Sequence, residues 1–427
     1  IMQRHRSAVL IATFELVSLP ESDKGDSEME NRIYDLLGIQ NKNDLHTVAK
    51  RLNIKVPVLR AYAQNMDIPI GKDAQAIQEY LGISPLVYKL KFGDCDSTIK
   101  KSIMDHAEEI ASIISKDKNN EIEIVDNNNP VQSFKTNLGK MFRGDGVKLM
   151  KSLKDESVDM IFADPPFNLG KKYESRIDDK LSNETYLRWT ESWVQEATRI
   201  LKPGGSIFVW NYPKWNIKIA EMLERHLTLR HWITVNMKYG FPISGKLYPA
   251  HYALLYFIKG NRPSTFHPCR IPMSVCPTCG HELKDYGGYK MKMNPRGINL
   301  SDVWDDIYPV RHSKYKNRNS NELPIKLLDR LISMSTDEND VILDPFGGSG
   351  TTYAVAEMLK RKWIGCEIGP VQQIHRRMAN LQGEKVLLDK IHSEENKLFL
   401  PKTVSLRKKN GFWLPEDFTR IHAREGR

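Results

Sequence analysis

The sequence has few cysteines, no long hydrophobic run and no strong excess of one charge. Five cysteines in 427 residues are too few for a disulfide framework. No uncharged apolar run reaches the ~18 residues needed to cross a bilayer. No small-residue cleavage site follows the apolar residues 8–19, so we expect a cytoplasmic protein with no membrane partner. A net charge of +10 permits a polyanionic partner without requiring one.

Changes in composition predict several segments. Residues 1–28 are polar and are predicted to be a tail. Residues 29–125 carry apolar side chains at spacings of three and four, which predicts a helical domain, and Asn53 lies where a turn would join two helices. Such a pair is typical either of a helix-turn-helix or of a small bundle that only packs on its neighbour. The boundaries predicted beyond it are 138–260, 261–320, 321–383 and 384–427.

The second half of the chain alternates short apolar runs with helical stretches. The runs are 158–163, 206–210, 253–258, 341–343 and 363–368, and the helices predicted between them are 184–200, 324–334 and 351–360. Runs that are apolar on both faces indicate buried parallel strands. The pattern therefore predicts an α/β fold with a doubly wound, mostly parallel sheet, which binds ligands at the carboxyl ends of its strands. Residues 261–320 are a polar, basic insertion in this pattern, and 384–427 are an extension.

The first of two conspicuous strand ends is Asp164-Pro165-Pro166-Phe167. The two prolines favour a stiff, extended turn because each has a fixed φ and lacks an N–H group. A carboxylate beside an outward carbonyl suits an exocyclic amine, which offers two hydrogens. Phe167 offers a flat face for a planar ring. Four residues alone are equally typical of a plain strand-terminal turn.

The second strand end is rich in glycine and runs into a helix. Glycines between a strand and a helix N-terminus allow a ligand to approach the backbone closely. No lysine follows the last glycine as in a P-loop, and Tyr353 replaces the third glycine of a dinucleotide fingerprint. Glu367, at the end of the next run, suits two ribose hydroxyls, so we expect an adenosine ligand without phosphates, such as S-adenosylmethionine. The predicted contacts are Asp344, Phe346, Gly348, Gly350, Thr351 and Glu367.

Together these motifs resemble the S-adenosylmethionine-dependent DNA amino-methyltransferases, which modify adenine N6 or cytosine N4. Residues 164–167 look like the family's catalytic motif, and residues 344–352 look like its cofactor loop. Asp145 lies in a segment similar to the one whose acid meets the cofactor's adenine. The resemblance covers about residues 138–370, and the catalytic motif comes first, as in the family's β group. Residues 321–327 depart from the family's His-Pro-x-Gln-Lys-Pro segment.

The resemblance implies a Rossmann-like core in which 138–260 is the catalytic half, 261–320 a target-recognition insertion and 321–383 the cofactor half. It implies methyl transfer to the exocyclic amine of a base turned out of double-stranded DNA. Aspartate at position 164, where cytosine-N4 enzymes more often carry serine, favours adenine N6. The alternatives are cytosine N4, then methylation of RNA or of a protein glutamine, and a vestigial DNA-binding regulator. A homodimer and an accompanying restriction endonuclease are partners that the resemblance allows.

The insertion contains Cys276-Pro-Thr-Cys279-Gly, a zinc-knuckle sequence. The two-residue spacing aims both sulfurs at one point. A structural zinc needs four ligands, for which Cys269 is the natural third and His281 or His267 the fourth. The alternative is a pair of reduced thiols in a loop, because a second Cys-x-x-Cys is missing.

Basic residues interleaved with Tyr and Asn follow the knuckle sequence. Such side chains neutralise phosphates and read base edges, although a charge run is more often a solvated face. The position of these residues between the two halves of the core favours DNA binding. The predicted contacts are Lys290, Lys292, Arg311, Lys314, Lys316 and Arg318.

Overall fold

The computed structural model describes residues 31–118, 129–168, 181–236, 245, 247–285, 287–310 and 322–418. The chain divides into two compact units, of which unit 1 comprises 1–121 with 181–184 and unit 2 comprises 122–180 with 185–427. The predicted tail and four of the predicted DNA contacts (Arg311, Lys314, Lys316 and Arg318) lie outside the described residues. In the described part of the chain, no helix combines the length and the apolar character needed to cross a bilayer.

The described part of unit 1 is helical. Its helices are α1 (Arg32–Leu37), α2 (Lys42–Arg51), α3 (Val56–Asn65), α4 (Gly71–Leu81), α5 (Pro85–Phe92), α6 (Ser97–Asp105) and α7 (Ala107–Lys118). The Asn41 side chain caps α2 by accepting the N–H groups of Asn43 and Asp44. Asn53, between α2 and α3, has a φ of 54°, a left-handed conformation that asparagine tolerates better than most residues. The turn predicted at Asn53 is therefore present, and its use in DNA binding stays a prediction.

Unit 2 is built on a large mixed sheet. Its strands are β1 (Val131–Lys135), β2 (Gly139–Arg143), β3 (Val158–Ala163), β4 (Leu201–Asn211), β5 (Thr228–Asn236), β6 (His251–Ile258), β9 (Val303–Trp304), β10 (Val341–Asp344) and β11 (Lys362–Glu367). The strand order is β1-β2-β11-β10-β3-β4-β6-β5-β9. The five neighbours from β2 to β4 are parallel, and β1, at one side, and β6, at the other, are antiparallel to their partners among them.

Helices cover both faces of this sheet. They are α8 (Gly146–Ser152), α9 (Asn183–Ile200), α10 (Pro213–Glu224), α11 (Ile325–Ser335), α12 (Thr351–Met358), α13 (Gln372–Ala379) and α14 (Gln382–Glu394). In β3, Ile161 and Ala163 pack into the cluster formed with α8, α9 and α10, whereas Met160 and Phe162 pack into the cluster formed with α11 to α14. All four side chains are fully buried. The predicted doubly wound α/β fold is confirmed.

A composite module, defined as residues 269–299 and 396–414, joins the insertion to the C-terminal extension. The insertion contributes the short antiparallel pair β7 (Arg270–Ile271) and β8 (Ile298–Asn299), and the extension contributes α15 (Pro401–Lys409). Leu398 bonds through its backbone to both sides of the insertion, since its carbonyl accepts the Met273 N–H and its N–H reaches the Pro295 carbonyl, each at 2.9 Å. The module has its own small core of Met273, Leu398, Phe399 and Leu414.

Candidate active site

The candidate site lies along one edge of the sheet, where four parallel strands end. Asp145 follows shortly after β2, Glu367 ends β11, Asp344 ends β10, and Asp164 follows β3. Because β2, β11, β10 and β3 are consecutive neighbours, their carboxyl ends meet at the same edge. The sheet order therefore places the two predicted strand ends side by side, with the acids Glu367 and Asp145 on the far side of the glycine-rich turn.

Two buried aromatic residues hold the turn 164–167. The Tyr186 hydroxyl donates to the Pro166 carbonyl at 2.7 Å, and the Trp215 Nε1–H donates to the Phe167 carbonyl at 2.7 Å. Tyr186 lies in α9 and Trp215 in α10, and both are almost fully buried. Their rings pack on each other with centroids 4.6 Å apart. Prolines cannot donate backbone hydrogen bonds within the turn. Side chains from two helices instead bind its carbonyls and so hold it in place.

The acceptors predicted for an amine lie at the start of this turn. Among the residues that the structure describes, none donates to the Pro165 carbonyl. Asp164 is half-buried, and its negative charge acts on Tyr252. The pKa of Tyr252 is raised, mainly by burial, then by its hydrogen bond with Tyr212 and least by the negative charge of Asp164. Tyr252 therefore stays neutral near Asp164 over the physiological pH range.

Aromatic rings surround Phe167. Its ring meets Tyr212 edge-on at 5.2 Å between centroids and lies 6.0 Å from Tyr252. Tyr252 in turn stacks on Tyr212 at 4.7 Å and on Trp210 at 4.8 Å. The sequence reasoning missed these partners. An Asn-Tyr-Pro sequence at the end of β4, residues 211–213, was the available signal.

The predicted cofactor contact Asp344 points into the protein. Its carboxylate accepts the Thr352 hydroxyl at 2.5 Å and the Phe346 N–H at 3.0 Å, while its carbonyl accepts the Tyr353 hydroxyl at 2.9 Å. Burial raises the pKa of Asp344 to about 7, against the effect of these hydrogen bonds and with a small contribution from Glu367. The geometry gives Asp344 a part in shaping the loop and in tying it to the start of α12.

The loop is also tightly packed by apolar side chains. Gly350 has a φ of 79°, and a Cβ there would lie 2.8 Å from Ile374 Cγ2. The space beside this glycine is thus filled by α13, so close ligand approach is not what excludes a side chain at position 350. Phe346, another predicted contact, packs against Trp189 at 5.6 Å and Trp193 at 5.8 Å.

A buried arginine that sequence reasoning missed braces the same loop. Arg377 Nη1 donates to the Ser349 carbonyl at 3.1 Å and to Thr351 Oγ1 at 2.9 Å, and it forms an ion pair with Glu322 at 3.0 Å. Both charged side chains are almost fully buried. The Thr351 hydroxyl donates to the Leu323 carbonyl at 3.2 Å. The segment that follows the insertion is therefore fastened to the glycine-rich loop.

Glu367 and Asp145 bind backbone N–H groups at the same edge. Glu367 accepts the Gly348 N–H at 2.8 Å and the Gly369 N–H at 2.7 Å. Asp145 caps α8 by accepting the N–H groups of Val147 at 2.6 Å and Lys148. Both carboxylates are half-buried, so part of each still faces outward. Two such acids beside a glycine-rich turn fit the amine and hydroxyl donors of an adenosine.

The Cys-x-x-Cys turn forms as the knuckle sequence predicts. The Cys276 N–H donates to the His281 carbonyl and the Gly280 N–H donates to the Cys276 carbonyl, each at 2.8 Å. N–H groups of Cys279 and Thr278 directed at the sulfur lower the pKa of the Cys276 thiol. The His281 ring has Nδ1 at 2.9 Å from the Glu282 carbonyl and meets Phe412 edge-on at 4.9 Å between centroids.

The described residues do not support the predicted four-ligand zinc site. Cys269 lies near the buried Arg330–Asp306 ion pair instead, where burial raises the pKa of its thiol to about 11. The alternative ligand His267 pairs with Asp337 at 2.7 Å. Over the residues that the structure describes, no three His, Cys, Asp or Glu side chains converge on a point where a metal ion would bind. Among the described residues, the two cysteines of the knuckle turn are thus not joined by the two further ligands that a structural zinc needs.

Two of the predicted DNA contacts are described. Lys290 forms an ion pair with the buried Glu282. Lys292 is exposed and lies over the Tyr289 ring at 5.4 Å from its centroid. Lys290 is thus paired within the composite module, whereas Lys292 is exposed, and DNA binding by either stays a prediction.

A doubly wound sheet with an adenosine-type loop at one strand end and Asp-Pro-Pro-Phe at the next defines a methyltransferase of amino groups. The comparisons with known proteins agree. A family model described as DNA methylase matches residues 158–375, about half of the chain. The type II methyltransferase M.BamHI of Bacillus amyloliquefaciens is 50% identical over 384 residues, which are 89% of this chain and 90% of that protein. The chain belongs to the DNA methylase family of S-adenosylmethionine-dependent amino-methyltransferases.

Less similar proteins match a smaller share of the chain. The DNA adenine methyltransferase YhdJ of Escherichia coli (strain K12) is 32% identical over 240 residues, which are 53% of this chain and 78% of that protein. The solved structure of the PvuII DNA methyltransferase (cytosine-N4-specific) aligns with a TM-score of 0.45 at 21% identity, covering 61% of this chain and 93% of the other.

Proposed function

We propose that this DNA methyltransferase modifies the N6 amine of adenine and that residues 164–167 hold the target base. The supporting observation is the turn itself, with Asp164 and the Pro165 carbonyl at its start and two helices fixing its end. The relative named as a DNA adenine methyltransferase supports adenine as the base. The substrate would be a base turned out of the duplex, because the exocyclic amine is otherwise paired.

S-Adenosylmethionine supplies a methyl group on a sulfonium cation. The residues that fit its adenosine are Glu367 and Asp145, which lie beside the glycine-rich turn at the neighbouring strand ends. The donor set of the ligand, two ribose hydroxyls and an adenine amine, matches carboxylate acceptors. Asp344, Phe346, Gly348, Gly350 and Thr351 would act by giving the loop its shape.

An aromatic amine is a weak nucleophile because its lone pair is delocalised into the ring. Asp164 and the Pro165 carbonyl would accept its two hydrogens and draw the nitrogen toward tetrahedral geometry. Phe167 would stack on the base, and the rings of Tyr212 and Tyr252 would form the wall behind it. The methyl group would pass from the sulfonium sulfur, which leaves as a neutral thioether, to the amine nitrogen. Since this transfer requires mainly alignment, positioning is the largest contribution that the protein has to make.

Cytosine N4 is the second candidate. It offers the same pair of hydrogens, and acceptors placed as Asp164 and the Pro165 carbonyl would serve either base. RNA methylation and a vestigial regulator are opposed by membership of the DNA methylase family. The type II relative is bacterial, which supports a cytoplasmic location and the expectation of an accompanying restriction endonuclease. A homodimer stays a prediction.

The test is methylation of duplex DNA with labelled S-adenosylmethionine, followed by mass spectrometry of the released nucleosides. N6-Methyladenine is the expected product, and N4-methylcytosine would overturn the choice of base. Asp164→Ala should lower kcat by ~10²–10⁴ or more with cofactor affinity within several-fold. Asp159→Asn on the same strand is the control, because Asp159 pairs with Lys202 away from the turn. Near wild-type turnover by Asp164→Ala would refute the assignment of Asp164.

A further inference from the structure

Arg407 fixes α15 to the Cys-x-x-Cys turn of the insertion. Its side chain is completely buried, donates to the Gly280 carbonyl at 2.5 Å and to the Trp413 carbonyl at 2.9 and 3.0 Å, and pairs with Glu282 at 3.2 Å. The guanidinium lies 4.4 Å from the ring centroid of Phe399 and 4.8 Å from that of Trp413. A buried charge with this many partners sets one orientation of the helix.

With Arg407 directed inward, the other basic side chains of α15 face outward. Residues 396–414 contain five cations and no acid. Lys402, Lys408 and Lys409 are exposed, and within the described residues no carboxylate pairs with any of them. The exposed cations Lys284, Lys292 and Arg296 belong to the same composite module, on its insertion side.

The helix dipole of α15 favours only some of its exposed lysines. Lys408 and Lys409 lie in the last turn of α15, where cations are favourable. Lys402 lies in the first turn, where a cation opposes the helix dipole, and no acid offsets it in the sequence of the helix. The three like charges within one short helix repel one another. A polyanion bound across the helix removes both penalties.

We propose that Lys402, Lys408 and Lys409 bind the phosphates of duplex DNA, so that the C-terminal extension and the insertion form one DNA-binding surface. The inference deepens the proposed function and rests on it for the choice of duplex DNA as the partner. The small core and the Arg407 clamp would present the three ammonium groups in a fixed position. Phosphate contacts of this kind add affinity without reading sequence.

The experiment measures binding of the full-length chain to duplex DNA at several salt concentrations. Each phosphate contact contributes about 0.9 to the log–log slope, so the triple variant Lys402→Gln, Lys408→Gln, Lys409→Gln should flatten the slope by about 2 to 3. Affinity at 0.1 M salt should fall by roughly 10²-fold or more, equally for specific and unrelated sequences. S-Adenosylmethionine affinity and the melting temperature should not change.

The matched control neutralises Lys151, Lys154 and Lys218, which are exposed and, within the described residues, without an ion pair. A slope change in the α15 variant no larger than in this control would overturn the proposal. If the α15 variant lost affinity for RNA but kept its affinity for duplex DNA, the proposal would also be overturned, because the partner would then be RNA. DNA methylation by the wild-type protein is measured separately. If the wild-type protein does not methylate DNA, the proposed function fails. If it does, but the α15 variant binds DNA as the control variant does, only the present inference fails.

Discussion

Tyr186→Phe tests whether the turn at residues 164–167, which we propose is catalytic, depends on the helices around it. The change removes one hydroxyl from a side chain that is 1% exposed and leaves its ring in place. That hydroxyl donates to the Pro166 carbonyl at 2.7 Å and lies 3.4 Å from Asn211 Nδ2. Without it, the Pro166 carbonyl has lost its donor, and the turn is free to shift toward another one.

The size of the effect follows from that lost hydrogen bond. Leaving a buried acceptor unsatisfied costs about 1–3 kcal/mol. If the turn shifts to recover part of this cost, Asp164 and the Pro165 carbonyl move out of line with the amine. Each 1.4 kcal/mol lost from the transition state is about tenfold in rate, so we expect kcat to fall roughly 10- to 100-fold. Cofactor affinity should be unchanged, because Tyr186 packs at the β3 end of the site and not at the loop.

The assay is steady-state methyl transfer to duplex DNA, with the dissociation constant for S-adenosylmethionine and the melting temperature measured in parallel. Tyr256→Phe is the matched control. It removes an equally buried hydroxyl from β6, one whose partner is Ser206 at 3.5 Å, remote from the turn. If Tyr186→Phe lowers stability as Tyr256→Phe does but keeps kcat within twofold of wild type, the turn does not rely on Tyr186 for its alignment.

Three further predictions concern the loop and the composite module. Gly350→Ala should weaken S-adenosylmethionine binding in calorimetry, and adding Ile374→Ala should restore only part of it, because the φ of 79° remains strained. Arg377→Lys should weaken cofactor binding about tenfold, since one ammonium does not replace a guanidinium with four partners, Ser349, Thr351, Glu322 and Glu384. Burial raises the pKa of Glu282, but hydrogen bonds from neighbouring side chains outweigh it and lower the pKa to about 2. The ionised carboxylate therefore stabilises the module above about pH 4.5, and amide exchange should show this protection lost as the pH falls toward 2 in wild type but not in Glu282→Gln.

The parallel core of the fold was predictable because its strands are buried on both faces. The runs at 158–163, 341–343 and 363–368 correspond to β3, β10 and β11, which lie beside one another in the sheet. The outer strands were missed for the converse reason. β5 is mostly exposed over its first half and β1 over nearly all its length, so neither has an apolar run to find.

The candidate site was predictable where a motif is local and not where it depends on distant partners. Asp164 and the glycine-rich turn are recognisable as short sequences, and the sheet order brings them together. Tyr186, Trp215 and Arg377 act across 20 or more residues of chain, as single side chains in ordinary helices. Nothing in their immediate sequence distinguishes them from residues that only fill the core.

The predicted zinc ligand set, which the described residues do not support, illustrates the same limit. Spacing correctly indicated that Cys276 and Cys279 share a turn, since that depends on four residues alone. It could not show that Cys269 is drawn to the Arg330–Asp306 pair. The buried Arg407 binds the carbonyl that follows the turn and pairs with Glu282. A guanidinium thus supplies the cross-link between insertion and extension, and the composite module holds its shape through a residue that lies 127 positions away from the turn it supports.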